Sequence, residues 1–540
     1  MTKSLPPRPS LEHLKHQATA LLREGREHLP EALARLAEHL HRPQLSLETA
    51  GISATPARRG LKLADAQFVI AREYGFAHWA ELKQHVELAE LDAKNRGERI
   101  ATLIECCLDG QLERAERLLG RFPDLAADDI FAAATLGDLA SVQTLLERDP
   151  SLATKAGGPI NAPPLVYACT SHYAAPKSSR ESNMRAIADE LLRCGADPDS
   201  RWLNPEFNHA PLSALYGACG VNGNVALAKI LLDAGANPND NESLYHSVEH
   251  DHSDCTVLLL ERGATISGTN AVHHAVGLGH MAALKLFLKH GADVNERIGA
   301  QQMMTLFQWA IECNQDRDML ELLIEQGADL HARSIDGLTP YRRAVRCGHH
   351  AAIELLRHHG VVEELNPNES FLAACMAGDE ALARRLLDAT PSLVNMLPTF
   401  YQVHLFGAAW RGNVAAVRTM LAMGFDVASR NEHRATALHA AAWQGQVEIV
   451  QLLLMHHAPL DVKETEFDCT PLDWALHGSC NCHPHGGADA AATRDSAYAT
   501  IVSDLLTAGS PPPIDRLVRL CRGRVEEALA EAGIVPNDQD

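Results

Sequence analysis

The stretch TALHAAAWQGQVEIVQLLLMHHAPLD, residues 436–461, holds two short helical patterns in succession. Its first half is made of small residues, with Ala440, Ala441 and Ala442 in succession. A helix so built lets a neighbouring helix come close. Its second half carries an apolar stripe, Val447, Ile449, Val450 and Leu453, at helical spacing. Two short helices of this kind cannot bury the stripe between themselves. They must stack on copies of their own pattern.

The copies are present. Residues 403–431 read VHLFGAAWRGNVAAVRTMLAMGFDVASRN, and residues 270–296 read NAVHHAVGLGHMAALKLFLKHGADVNE. Aligned on the Thr position, repeats begin at Ala101, Asp128, Pro163, Ser213, Glu242, Asn270, Thr305, Thr339, Glu369, Val403, Thr436 and Thr470. That is about twelve, most of them 27 to 35 residues apart. Gly263 and Gly291 follow the second helix of their repeats, where a left-handed cap favours glycine. The pattern resembles the ankyrin repeat, T-P-L-H-x-A-A followed by G-H and a closing L-L-x-x-G-A-D. The resemblance implies an all-α, ankyrin-repeat solenoid of helix-turn-helix repeats.

The departures from regularity carry information. Repeats two, five, six and nine are short, which predicts loss of their β-turn fingers. Repeat four has one extra residue near Asn222. Repeat three has an insertion at 173–183 and repeat twelve another at about 477–496; both fall between the two helices and read as loops.

Residues 1–95 lack the repeat. Leu11, Leu14, Ala18, Leu21 and Leu22 keep helical spacing, as do Ala66, Ile70 and Tyr74. Gly75 ends that helix, and Phe76, Trp79, Leu82 and Val86 mark the next. The expected organisation is a helical N-terminal domain (1–95) of about four helices capping the solenoid (96–513), then a C-terminal helical cap and tail (514–540).

The segments RPSLEHLKHQATALL (8–22) and LADAQFVIAREYGFAHWAELKQHV (63–86) resemble the leader found on many bacterial ankyrin proteins. GADPD, SALYGACGVNGN, GANPNDNESLYHS, GTNAVHHA and TPLDWALHGS follow in the order of the same group. In the last of these, related sequences usually place Gly where Asp473 stands. The resemblance spans the chain and speaks to architecture, not to mechanism.

A chain of 540 residues with a net charge of −21 repels phosphate backbones and anionic lipid, which argues against nucleic acid and membrane as partners. Its 13 cysteines are scattered singly, several inside apolar helical patterns, as Cys106, Cys107, Cys169 and Cys375 are. They read as buried thiols of a reducing compartment. No apolar run nears the roughly 20 residues that span a bilayer, and Met1 to Ser10 has no signal-peptide core. The expectation is a cytoplasmic monomer.

Three constellations are candidates for function. In ankyrin proteins the concave groove is lined by the two variable residues before G-H and by the finger tips. Here those pairs include Trp410/Arg411, Trp443/Gln444, Arg346/Cys347 and Glu249/His250. Trp410 and Trp443 occupy equivalent positions 33 residues apart, so side-by-side rings are expected, with Trp474 nearby. Three of the six tryptophans thus fall in one region, a composition that suits an interface hot spot. The alternative is that they pack on one another and on the inserted loop.

The second constellation is Tyr245, His246, Glu249, His250 and His252, with His273 and His274 one repeat on. Histidine with glutamate is capable of proton transfer or metal binding. Tyr245 and His273 also hold the signature His position, and His280 and His349 the G-H position, where scaffold roles are the rule. The third is HGSCNCHPHGG, with His477, Cys480, Cys482, His483 and His485. Thiolate and imidazole suit zinc, but Cys-x-Cys is tighter than the usual knuckle and no second pair follows. Walker, G-x-S-x-G and H-E-x-x-H motifs are absent. The reading favours a scaffold for a protein partner and no cofactor beyond that zinc possibility. An enzyme or small-molecule site at Tyr245, His246 and Glu249 is the alternative.

Overall fold

The computed structural model describes residues 3–6, 9–26, 29–40, 61, 63–204, 210–250, 253–297, 303–391, 393, 404–481, 488–514, 517–518, 521, 523–532 and 534. The chain divides into two compact units. One holds residues 1–90, 345–350 and 363–540, the other 91–344 and 351–362.

The second of these is built from helix pairs. They are Arg96–Leu108 with Leu112–Arg121, Ile130–Leu136 with Leu139–Arg148, and Pro164–Thr170 with Glu181–Arg193. Next come Ala214–Tyr216 with Val225–Asp233, Ser243–His246 with Asp254–Glu261, Ala271–Gly277 with Met281–Lys289, and Leu306–Glu312 with Arg317–Glu325. The pair Pro340–Cys347 and His350–His358 is divided between the units. The first unit continues with Pro367–Met376 and Glu380–Ala389, His404–Trp410 and Val414–Ala422, Ala437–Trp443 and Val447–Met455, and Pro471–Asn481 and Ala488–Thr507. Twelve pairs are thus present among the described residues.

Repeat eleven explains its own sequence. Ala440, Ala441 and Ala442 are fully buried, and so are Ile449, Val450 and Leu453 on the second helix. The Thr436 amide donates to Nδ1 of His439 at 3.1 Å, and Nε2 of His439 donates to the Cys469 carbonyl of the next repeat at 3.2 Å. The His of T-x-x-H is therefore a helix cap and an inter-repeat strut at once. In repeat seven Gln308 does the same work. Its Oε1 accepts from the Thr305 amide at 3.0 Å, and its Nε2 donates to Leu338 O at 2.9 Å and Ala332 O at 3.1 Å. His280 reaches back to the Val248 carbonyl, and Asn413 to Met376 O at 3.0 Å, so the position after the turn also joins repeats. Gly291 closes its helix at φ 86°, and His457 takes the same left-handed place in repeat eleven at φ 60°.

Four features depart from the plain repeat. The extra residue of repeat four becomes a π-helical turn, Gly217–Val221. A Cβ at Gly217 would stand 2.6 Å from Thr170 Oγ1, so only glycine admits this close approach. The all-α reading gains one exception, an antiparallel hairpin that pairs Arg201–Asn204 with Ala210–Ser213. Isolated bridges occur before repeats three, seven and eleven, at Gly157–Ala162, Arg297–Thr305 and Arg430–Thr436. Among the described residues no strand pairing precedes repeats two, five, six and nine, nor repeats eight and twelve, so pairing does not set the short repeats apart.

The described residues of the two insertions carry helical structure and side-chain ties. In the first, Arg180 donates to Glu116 at 2.8 Å and to Leu136 O at 2.8 Å, and its guanidinium lies 4.5 Å from the Tyr173 ring. Tyr173 also donates its hydroxyl to Glu116, so the insertion is sewn to repeats one and two. The second lengthens its flanking helices, to Asn481 on one side and from Ala488 on the other. The alanine-rich run after Gly487 has the propensity for this.

In the first unit, helices Leu11–Arg26, Pro30–Leu40, Leu63–Glu73 and Trp79–Ala93 surround a core of Leu14, Leu21, Leu33, Leu36 and Val69. Lys3 and Arg35 hold the buried Glu73 carboxylate at 2.6 and 2.7 Å. Burial pushes Glu73 up, but those two cations outweigh it and leave the carboxyl below its ordinary range. The bundle also packs on helix Gly523–Glu531: Ala530 joins its core, and Lys15 pairs with Glu526 at 3.4 Å.

Candidate functional site

The tryptophan region belongs to repeats ten to twelve. The ring of Trp410, 37% exposed, stacks on Phe406 one turn earlier in the same helix, centroids 6.0 Å apart at 16°. Trp443 turns to the next repeat. It meets Trp474 edge-on at 5.3 Å and stacks on His477 at 4.7 Å and 22°. The expected side-by-side contact of Trp410 with Trp443 is thus replaced by two separate stacks. The carbonyl of Trp443 is held by the Tyr498 hydroxyl.

Arg411 and Gln444 follow their tryptophans and are half-buried. His404, at the start of the same helix, is 5% exposed. Burial first, then the charges of Arg346 and Arg411, push its imidazole well below the usual range. The variable positions of this region therefore present two aromatic stacks beside fixed positive charge.

The second constellation closes into a network over repeats four to six. Glu249 Oε1 accepts from His246 Nδ1 at 2.8 Å and from His274 Nε2 at 2.9 Å. The other nitrogen of His246 stands 3.4 Å from Glu242. Tyr245 stacks flat on His274, centroids 4.0 Å apart at 11°, and Tyr216 packs edge-on to His246 at 5.1 Å. His250 donates from Nε2 to Gly220 O at 2.7 Å. A Cβ at Gly220 would lie 2.8 Å from that of His246, so the π turn brings repeats four and five close enough to build the cluster.

Burial pushes Glu249 up, but the two imidazoles outweigh it and hold the carboxyl at about 2. Burial likewise lowers His246, and its bond to Glu249 with the charges of Glu249 and Glu242 reverses this, leaving it above the ordinary value. Tyr216 is pushed up to about 12 by burial and then by the same two carboxylates. His273 does not join. It is buried, pushed down to about 4, and its carbonyl accepts from Trp309 Nε1 at 2.8 Å. Within the cluster one oxygen of Glu249 is thus shared by His246 and His274. His252 lies outside the described residues.

Of the Cys/His run, His477 is stacked on Trp443, and Cys480 Sγ lies 4.0 Å from Cys521 Sγ. Cys482, His483 and His485 lie outside the described residues. Among the described residues, no three His, Cys, Asp or Glu side chains are grouped to hold a metal ion. No described helix is long and apolar enough to cross a membrane. Phe406, Tyr216 and Cys521 enter these groupings without any motif to announce them. Phe406 alone is findable by spacing, four residues before Trp410.

Comparison with known family models identifies repeats in part of the chain. The family model for ankyrin repeats matches in three copies, at residues 265–334, 371–466 and 405–483. These segments are ankyrin repeats, and the fold class is the mostly helical one such repeats build. Among curated proteins, an L-asparaginase of Dirofilaria immitis is 27% identical over 161 residues, 29% of this chain and 27% of that enzyme's length. The chain therefore spans about a quarter of that relative. Among solved structures, the human ASB11 ankyrin repeat domain is matched at 23% identity and a TM-score of 0.21, over 45% of this chain and 98% of the other.

Proposed function

We propose that this chain is a protein-interaction scaffold that captures a partner along the concave face of its repeats, with Trp410, Arg411, Trp443, Gln444 and Trp474 as the principal contact surface. Ankyrin repeats as a class mediate contacts between proteins. The observation that carries the assignment here is Trp410. A large ring remains 37% exposed at a variable position, in a helix where Ala408 and Ala409 are fully buried. Aromatic rings beside arginine have the composition of binding hot spots. The N-terminal resemblance to bacterial leaders and the acidic composition fit a bacterial cytoplasmic protein acting as a monomer.

A photo-crosslinking residue at Gln444 tests the reading, with Met455 as the control. Met455 is 69% exposed but lies on the second helix of the same repeat. The expected result in cells is one defined heterologous adduct from position 444, none from 455, and loss of the adduct on adding Trp410→Ala. Equal labelling from both positions, or none from either, overturns the assignment.

A further inference from the structure

We propose that Cys480 and Cys521 form a redox-responsive thiol pair, closed into a disulfide by a small-molecule disulfide of the glutathione type, which fastens the C-terminal helix to repeat twelve. Their sulfurs lie 4.0 Å apart across 41 residues of sequence. Cys480 sits in the last turn of helix Pro471–Asn481 and is partly exposed. Cys521 is 1% exposed and stands just before helix Gly523–Glu531. A disulfide holds its sulfurs about 2 Å apart. Closure thus asks for a movement of about 2 Å, within reach of rotation about a cysteine χ1.

The difference in exposure orders the chemistry. The Cys480 thiolate attacks one sulfur of oxidised glutathione, the S–S bond breaks, and one glutathione leaves as thiolate. The Cys521 thiolate then attacks the Cys480 sulfur of the mixed disulfide and expels the second glutathione. Two protein thiols are oxidised and one glutathione disulfide is reduced. The two protons lost by the cysteines end on the two glutathione thiols. His477, one helical turn before Cys480, is engaged with the Trp443 ring. Among the described residues no third ligand completes a metal set with the two sulfurs.

The consequence lies in what the fastened helix touches. Val525 and Leu529 belong to the core shared with repeats nine to twelve, while Ala530 belongs to the core of the N-terminal bundle. Glu526 adds its ion pair with Lys15. Closing the disulfide fixes a short helix that, among the described residues, contributes to both of these cores of the first unit.

Full-length native protein treated with oxidised glutathione and digested without reduction tests the proposal. The expected product is a Cys480–Cys521 cross-linked peptide pair, two hydrogens lighter than its parts and absent from Cys480→Ser and from Cys521→Ala. Amide exchange over 523–531 should be slower in the oxidised wild type than in oxidised Cys480→Ser, a surface-side change that leaves the buried thiol in place. A Cys480–Cys482 disulfide, a glutathione adduct that persists on Cys480, or oxidation that begins only after a chelator strips a bound metal would each overturn it.

Discussion

Glu249 accepts a hydrogen bond from Nε2 of His274 at 2.9 Å, across 25 residues and from one repeat to the next. The same oxygen holds His246 at 2.8 Å, so one carboxylate ties the first helices of repeats five and six. Glu249→Gln should loosen this tie by about 1 kcal/mol, a value that allows for solvent screening of a side chain 40% exposed. The pH dependence follows from both partners. The carboxyl is held down at about 2, so its contribution is present above its unfolded value near 4.5 and is lost as pH falls toward 2. His246 is raised, so its contribution is complete below 6.5 and is lost as pH rises through its folded value. Amide exchange over 242–277 should therefore separate wild type from Glu249→Gln most between pH 5 and 6.5 and least at pH 9. A constant separation across that range would dismiss the tie as an electrostatic one.

His439 is fully buried and bonded at both nitrogens. His439→Ala leaves the Cys469 carbonyl without its donor and opens a cavity, and should cost about 2–3 kcal/mol. His439→Gln should cost under about 1 kcal/mol, because Gln308 already spans repeat seven in the same way. Burial pushes His439 down to about 4, so its share of stability is present above 6.5 and is lost as pH falls toward 4. Thermal melting between pH 7 and 4.5 should show a steeper loss in wild type than in His439→Gln. Equal slopes would mean that this imidazole is not what acid attacks.

Asp473 caps its own helix and holds the segment that follows it. It is 1% exposed, accepts from the Thr470 amide at 2.8 Å, and accepts from the Ile514 amide at 2.6 Å. Asp473→Gly removes the cap of repeat twelve and the anchor of the C-terminal segment together. The expected loss is about 1.5–3 kcal/mol, as for a hydrogen bond to a charged group. Limited proteolysis should then cut first near residues 510–520, and an unchanged cleavage pattern would show the anchor to be dispensable.

The two tryptophans should separate binding from folding. Trp410→Ala removes a ring already 37% exposed and should change stability by about 0.5 kcal/mol, near the surface norm. Trp443→Ala removes a ring packed on Trp474 and His477 and should cost about 3 kcal/mol. Comparing melting temperatures of the two variants checks this. A larger loss from Trp410 would place that ring in the core instead of at an interface.

The repeat is legible in the order of residues alone. The alanines of the first helix, the apolar stripe of the second and the Thr that opens repeats seven, eight, eleven and twelve carry the fold locally, because each unit is about thirty residues long and contacts mainly its neighbours. The same order also brought Tyr245, His246 and Glu249 together, since they share one helical turn and its continuation. What rested on tertiary structure was which ring meets which. Trp410 and Trp443 are equivalent by register, yet one stacks on Phe406 and the other on His477, because χ angles and the next repeat's side chains choose the partner. The approach of Cys480 to Cys521, and of Lys15 to Glu526, joins positions with no periodic relation. Such contacts are decided by how packed elements return on one another, and a local pattern of residues holds no record of that.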